Sequence, residues 1–169
     1  MRVGIASWLA ALGAAGALGA AGCGEQADLQ AGDAISGSLD GNDLNEAALR
    51  ATYGIDVGDI EAALAATKNG PRLLSDANRR YDVWTLRVRS GERVVLRAAS
   101  TILNPVLAVA DMAGGVLGAN DDGNPTVPTI EDAWLVVDNP VNATAIVLVV
   151  VTEFGGPIGG GYLLEVNLD

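Results

Sequence analysis

The second half of the chain alternates apolar and polar residues with a period of two, which is the pattern of half-buried β-strands. Trp84, Leu86 and Val88 fall on one side of such a strand, while Thr85 and Arg87 fall on the other. Clusters of Gly, Pro, Asn and Asp separate the successive apolar stretches, as turns do. The pattern predicts about eight strands, over residues 34–39, 81–89, 92–100, 105–111, 115–119, 130–138, 143–152 and 161–168.

Between the first two predicted strands the apolar spacing changes to three and four residues, which is typical of helices. Asp43 is followed three residues later by Glu46, the spacing of a capping box, and Gly54 has the residue type that commonly ends helices. A second helix is predicted over residues 59–68. We therefore expect a helical insertion over residues 43–70 that decorates the domain.

Many short strands at regular spacing, with turn residues between them, indicate two packed antiparallel sheets. The prediction is an all-β fold: a jelly-roll-like antiparallel β-sandwich of about eight strands with a short helical insertion near its N-terminus. A chain of 169 residues that is 50% hydrophobic has room for one such domain. We place this domain at residues 34–169.

The N-terminal region has a different pattern, because no charged residue occurs between Arg2 and Glu25. A basic residue, an Ala/Leu/Gly-rich stretch and small residues before Cys23 predict a secretion signal over residues 1–22, cleaved between Gly22 and Cys23. A flexible tether is expected over residues 23–33. The alternatives are an ordinary signal with a leftover thiol and an uncleaved anchor, since about 20 apolar residues can span a bilayer.

Cys23 is the only cysteine of the chain, and the segment Leu18-Gly-Ala-Ala-Gly-Cys23 resembles the lipobox of bacterial lipoproteins. The resemblance implies that a diacylglyceryl group joins the thiol, that cleavage makes Cys23 the first residue, and that its new amine is acylated. Several acyl chains would attach the protein to a membrane almost permanently. Because Gly24 rather than Asp follows the Cys, the resemblance implies the outer membrane in a bacterium with two membranes, and otherwise the cell surface.

The strand-rich part also resembles the bacterial pre-peptidase C-terminal domain, a small β-sandwich appended to secreted proteases. The resemblance rests on the order and spacing of five segments. They are Tyr81-Asp-Val-Trp84, Ser90-Gly91, Leu107-Ala-Val-Ala-Asp111, Asn120-Asp-Asp-Gly123 and Gly160-Gly-Tyr-Leu-Leu-Glu-Val166. It implies a module that accompanies other activities rather than an enzyme.

The charge of the chain argues against a nucleic-acid partner. The net charge is −11, and loss of residues 1–22 would remove one positive charge, Arg2, and no negative one, which leaves −12. Binding to phosphates needs a basic patch, whereas the remaining Lys and Arg residues are scattered. We therefore expect a partner that is a protein or a polysaccharide, besides the membrane that holds the acyl chains.

Catalysis is difficult to build from this composition. The chain has no His, and lipidation would remove its single thiol, so the usual general base and strong nucleophile are both missing. We predict a non-catalytic module. The alternative is a hydrolase that uses carboxylates alone, which requires two acidic side chains that converge on a substrate cleft.

Four aspartates are candidate ligands of a calcium ion, which prefers six to eight oxygen ligands. They are Asp82, Asp111, Asp121 and Asp122. Under this hypothesis the protein is a calcium-dependent binding domain, with calcium as its cofactor. The alternative is that these residues stabilise turns by accepting hydrogen bonds from the backbone.

Trp134 is the candidate for contact with a partner. If Leu135 and Val137 face the core, strand alternation turns Trp134 to the opposite face of its sheet. A large aromatic side chain on an open face is typical of an interaction surface. The alternative is that a helix covers this face.

Overall fold

Two β-sheets pack face to face, and two helices cover the outer side of one of them. The computed structural model describes residues 2–4, 28–67, 78–121, 132–154 and 159–169. The strands are β1 Arg2–Gly4, β2 Ala34–Leu39, β3 Asp82–Val88, β4 Arg93–Ala99, β5 Asn104–Ala110, β6 Val116–Asn120, β7 Ala133–Asp138, β8 Ala145–Phe154 and β9 Gly160–Leu168. The helices are α1 Glu46–Tyr53 and α2 Val57–Ala65.

Sheet A has the strand order β1-β7-β4-β9-β2, and sheet B has the order β3-β8-β5-β6. The strands pair antiparallel except β1, which pairs parallel with β7. The predicted β-sandwich is confirmed, and each of the eight predicted strands is present with ends shifted by at most a few residues. Strand β1 was not predicted, because three residues are too short to display a period.

The core between the sheets is built from the inward side chains of both. Leu86 and Val88 of β3 belong to the same core as Leu96 of β4 and Leu135 of β7, and all four are fully buried. Trp84 packs against the same core and is partly buried. The predicted alternation in β3 is therefore confirmed.

A second core lies between sheet B and the helices. Leu49 of α1 and Ile60 and Leu64 of α2 are fully buried against outward residues of sheet B such as Val106 and Val150. Full burial of a Leu or Ile side chain stabilises a fold by about 1.5–3 kcal/mol. The helical insertion is thus a structural layer and not the decoration that we expected.

The start of α1 differs from the predicted capping box. Asn45 is the N-cap residue, because its side-chain oxygen accepts a hydrogen bond from Ala48 N at 2.9 Å. Asp43 lies earlier and accepts from Asp40 N in the turn before the helix. The helix ends as predicted at Gly54, which adopts the left-handed conformation with φ of 72°.

Residues 28–33, which the sequence analysis placed in the tether, are docked on the domain. Leu29 is fully buried, its N donates to Thr85 O at 2.7 Å, and its O accepts from Arg87 N at 2.8 Å. Gly32 N donates to Val166 O at 2.7 Å. A single buried Leu has no period, so the pattern could not reveal this contact.

In the described ranges, no helix is long and apolar enough to cross a membrane.

Candidate functional site

The outer face of sheet A is the side of the sandwich on which Trp134 lies. Ala133, Leu135 and Val137 of β7 are fully buried in the core, so the residues between them point outward. Trp134 has the orientation that the alternation predicted. Both described helices pack on sheet B, so the alternative that one of them covers Trp134 is wrong.

Strand β7 itself and the neighbouring strands β4 and β9 place five further side chains on the same face as this tryptophan. Arg97 of β4 pairs with Trp134 on one side and with Glu165 of β9 on the other. Val95 pairs with Val136. We call this surface the Trp134 face, and its members are Val95, Arg97, Trp134, Val136, Leu163 and Glu165.

Arg97 is held in place by two carboxylates. Its Nη2 lies 2.7 Å from Asp132 Oδ2 and its Nη1 lies 2.6 Å from Glu165 Oε2. The Asp132 side chain is only 9% exposed. The hydrogen bond that Arg97 donates to Asp132 raises the pKa of Arg97 above its ordinary value, so this guanidinium is permanently charged. The Trp134 face therefore combines apolar surface with an arginine whose position is fixed by two carboxylates.

The backbone and side chain of Trp134 have different hydrogen-bonding status. Its O accepts from Asn120 Nδ2 at 2.6 Å, which ties β7 to β6 of the other sheet. Its indole Nε1 is buried and has no acceptor within hydrogen-bond distance among the described residues. Buried indole N–H groups usually find a partner, because an unsatisfied donor costs about 1–3 kcal/mol.

A second polar group of residues lies at the other side of the sandwich, between β2, β3 and β9. Tyr162 Oη donates to Asp82 Oδ2 at 2.5 Å and accepts from Trp84 Nε1 at 2.9 Å. A Cβ at Gly37 of β2 would overlap the Tyr162 ring, so glycine is required there. Asp82 also shares a hydrogen bond with Asp43 from the turn before α1.

Burial dominates the electrostatics of this group. Desolvation, followed by the nearby Asp43, raises the pKa of Asp82 to about 7, although the hydrogen bond from Tyr162 opposes the shift. Desolvation also raises the pKa of Asp43, and Arg80 opposes that shift. Near neutral pH the two carboxyl groups therefore share a proton.

The candidate calcium ligands lie apart. Asp111 Oδ1 accepts from Ala113 N at 2.8 Å and from Gly115 N at 2.9 Å, so this side chain closes the turn between β5 and β6. Asp121 follows the far end of β6, about 17 Å away for a strand of this length. Asp82 binds Tyr162 on β9. Within the described ranges, no group of three or more His, Cys, Asp or Glu residues could hold a metal ion.

Three predicted site residues lie outside the described residues. They are Gly22 and Cys23 at the predicted cleavage site and Asp122 of the candidate calcium set. Cleavage and lipidation stay predictions.

The Asp82–Tyr162–Asp43 group was not predicted from the sequence. One signal was present, since Asp82 shares the core-facing parity of Trp84, Leu86 and Val88. A carboxylate on the core side of a strand needs a polar partner.

No model of a known protein family matches the sequence, and no curated protein matches it. Among solved structures, the chain is similar to the pre-peptidase C-terminal domain of a collagenase from Bacillus anthracis. The identity is 12% and the TM-score is 0.47, and the match covers 85% of this chain and 95% of that chain. This is the type of domain that the sequence resembles.

Proposed function

We propose that this protein is a non-catalytic binding module of the cell envelope, attached to a membrane through acyl chains on Cys23. The observation that carries the proposal is that both described helices pack on the outer face of the same sheet. Helices α1 and α2 cover the outer side of sheet B, while neither described helix packs on the Trp134 face, whose side chains are half-buried except for the exposed Leu163. A sheet face that presents a half-buried aromatic side chain beside an arginine held by two carboxylates suits a protein or polysaccharide partner.

The carboxylates near each other in the fold support binding rather than hydrolysis. Asp43 and Asp82 are hydrogen-bonded to each other, whereas the two acids of a glycosidase stand about 5–9.5 Å apart. Asp132 and Glu165 are both held by ion pairs with the same residue, Arg97, so they form a structural contact and do not flank a substrate cleft. The absence of His from the sequence points in the same direction.

The membrane attachment is tested by comparing the wild-type protein with Cys23→Ser. We expect the wild type in the membrane fraction, with the mass of residues 23–169 plus acyl chains. The variant is expected to keep residues 1–22 and to lack acyl mass. A wild-type protein that is recovered from the aqueous fraction without acyl mass would contradict this part of the proposal.

Binding at the Trp134 face is tested in cells with a photo-crosslinking amino acid at position 134. Position 62 on the exposed side of α2 serves as the matched control. We expect an envelope component to be captured at position 134 and not at position 62, and the mass of the adduct separates a protein from a glycan. Equal capture at both positions, or none at either, would refute a binding role for this face.

A further inference from the structure

The segment that we predict to be removed on export occupies a specific place in the fold. β1 runs parallel to β7, with Arg2 opposite Val136, Val3 opposite Val137 and Gly4 opposite Asp138. Val3 is only 4% exposed and belongs to the core between the sheets. β1 also contacts β6 of sheet B. β1 therefore closes the side of the sandwich that is formed by β7 of sheet A and by β6, the edge strand of sheet B.

Removal of β1 would leave β7 as an open edge strand. Such an edge presents unpaired N–H and C=O groups, and proteins normally protect it with Lys, Pro, bulges or a covering segment. β7 reads Ala-Trp-Leu-Val-Val-Asp and has neither Lys nor Pro within it. At the opposite side of the sandwich, the edge of β3 is covered by Leu29. The β7 edge would thus be uncovered and apolar in the mature protein.

The residues around this edge define what can replace β1. The position of Val3 is an apolar site that accepts one aliphatic side chain into the core. Asp138 makes an ion pair with Arg2, and its carboxylate side chain is only 13% exposed. Asp138 Oδ1 also lies 3.4 Å from Arg93 Nε. A basic residue directly before an aliphatic one therefore matches the edge in both charge and shape.

A groove continues from the end of β1. It has a volume of about 610 Å³, and its walls include Gly4, Glu92, Asp138 and Pro140. Glu92 and Asp138 give it acidic groups at one end of β7, and Arg93 gives it a basic one. A peptide longer than three residues has room to extend into this groove.

We propose that the mature protein uses the vacated β7 edge to bind an extended peptide as an added parallel strand, with a basic residue followed by an aliphatic residue at the positions of Arg2 and Val3. This proposal rests on the proposed function, because the edge becomes free only if residues 1–22 are removed. The peptide is a segment of another envelope protein. Addition of a strand to an open sheet edge is an established mode of peptide recognition.

The test uses the protein purified from membranes in detergent, whose intact mass first establishes whether residues 1–22 are gone. A fluorescent peptide with the sequence of residues 1–6 is titrated and its anisotropy is measured. We expect saturable binding. The same peptide with Val3→Asp should bind at least about tenfold more weakly, because a carboxylate would enter the apolar core site.

Charge reversal tests the basic position independently. The peptide with Arg2→Glu should bind the wild-type protein more weakly, and Asp138→Arg in the protein should restore part of the loss. Asp28→Asn, at the β3 edge on the opposite side, is the matched control and should leave the affinity unchanged. Because the peptide variants leave the protein intact, they decide the question even if Asp138→Arg is unstable.

The outcomes separate the two proposals. A cleaved and acylated protein that does not bind the peptide, or binds the Val3→Asp peptide equally well, overturns this inference and leaves the proposed function standing. A cleaved protein that forms a dimer which the peptide cannot dissociate also overturns it, since a second copy then occupies the edge. An uncleaved chain overturns both.

Discussion

Tyr162 connects the two sheets through side-chain hydrogen bonds at one side of the sandwich. It lies on β9 of sheet A and bonds Asp82 and Trp84 of β3 in sheet B. Asp43 joins the group from the turn before α1, where Tyr81 N also donates to Leu44 O at 2.9 Å. Sheet A, sheet B and the helical layer are therefore connected at a pair of carboxyl groups that share one proton.

The protonation of Asp82 predicts how stability depends on pH. The folded-state pKa of about 7 exceeds the value of about 3.9 expected in the unfolded chain, so the folded state binds more protons between these values. The free energy of unfolding should fall as the pH rises from about 4 to 7 and then level off. Because the side chain is partly solvated, we expect a total loss of about 2 kcal/mol, roughly half of what the full shift corresponds to.

Urea denaturation at pH 5, 6, 7 and 8 measures this slope. Asp82→Asn should flatten it, since the amide still accepts from Tyr162 and carries no charge. Asp28→Asn is the control, because hydrogen bonds from Thr85 and Arg87 lower the pKa of Asp28 and place its titration below this range. A wild-type stability that does not change between pH 5 and 8 is incompatible with the proton-sharing pair.

At the scale of elements, the helices allow sheet B to be buried on both sides. β8 has a continuous run of buried residues from Val147 to Glu153, rather than an alternating one. Such a run is expected only where neither face of a strand meets water. The inner face of β8 contacts the sandwich core, and the outer face contacts α1 and α2 through Leu148 and Val150.

Leu49→Ala in α1 should therefore destabilise the whole protein. The side chain is fully buried, and truncation of a buried Leu costs about 2–5 kcal/mol through lost burial and the cavity that remains. Thr52→Ala on the exposed side of the same helix should change stability by less than about 0.5 kcal/mol. If urea midpoints of the two variants are equal, the insertion is only a decoration after all.

A structural feature could be predicted from the sequence only where neighbouring residues of the chain determine it. Alternation within single strands predicted the strand positions and the outward orientation of Trp134. The partners of Asp82 were not predictable, because Tyr162 lies 80 residues further along the chain and the register between distant strands has no local signature. The role of α1 and α2 was missed for the same reason, since an amphipathic helix does not reveal which sheet it covers.

At the scale of the whole molecule, the point at which the proposed tether would join the domain lies beside β3, away from the β7 edge. If Cys23 is lipidated as proposed, docking of Leu29 on β3 shortens the tether to residues 23–27, and five residues could span at most about 18 Å. The domain would thus stay close to the membrane. The β7 edge is on the side of the sandwich opposite to β3, so a tether that joins the domain at β3 would not obstruct it.

Removal of β1 should also be visible in the backbone dynamics of β7. The comparison is between the processed wild type and Cys23→Ser, which is expected to retain residues 1–22. In the variant, pairing with β1 and burial of Val3 protect the β7 amides that face β1, whereas in the processed protein these amides meet solvent. We expect their hydrogen exchange to be at least about tenfold faster in the processed form.

The amides of β4 and β9 provide the internal reference for this measurement. Both strands have neighbours on each side within sheet A, so their exchange should be nearly the same in the two forms. A difference confined to β7 and the adjacent β6 would mean that the domain remains folded while one edge opens. If the β7 amides exchange equally fast in the processed protein and in the unprocessed variant, β1 does not protect them. Removal of β1 would then not create an open edge to which another strand could pair.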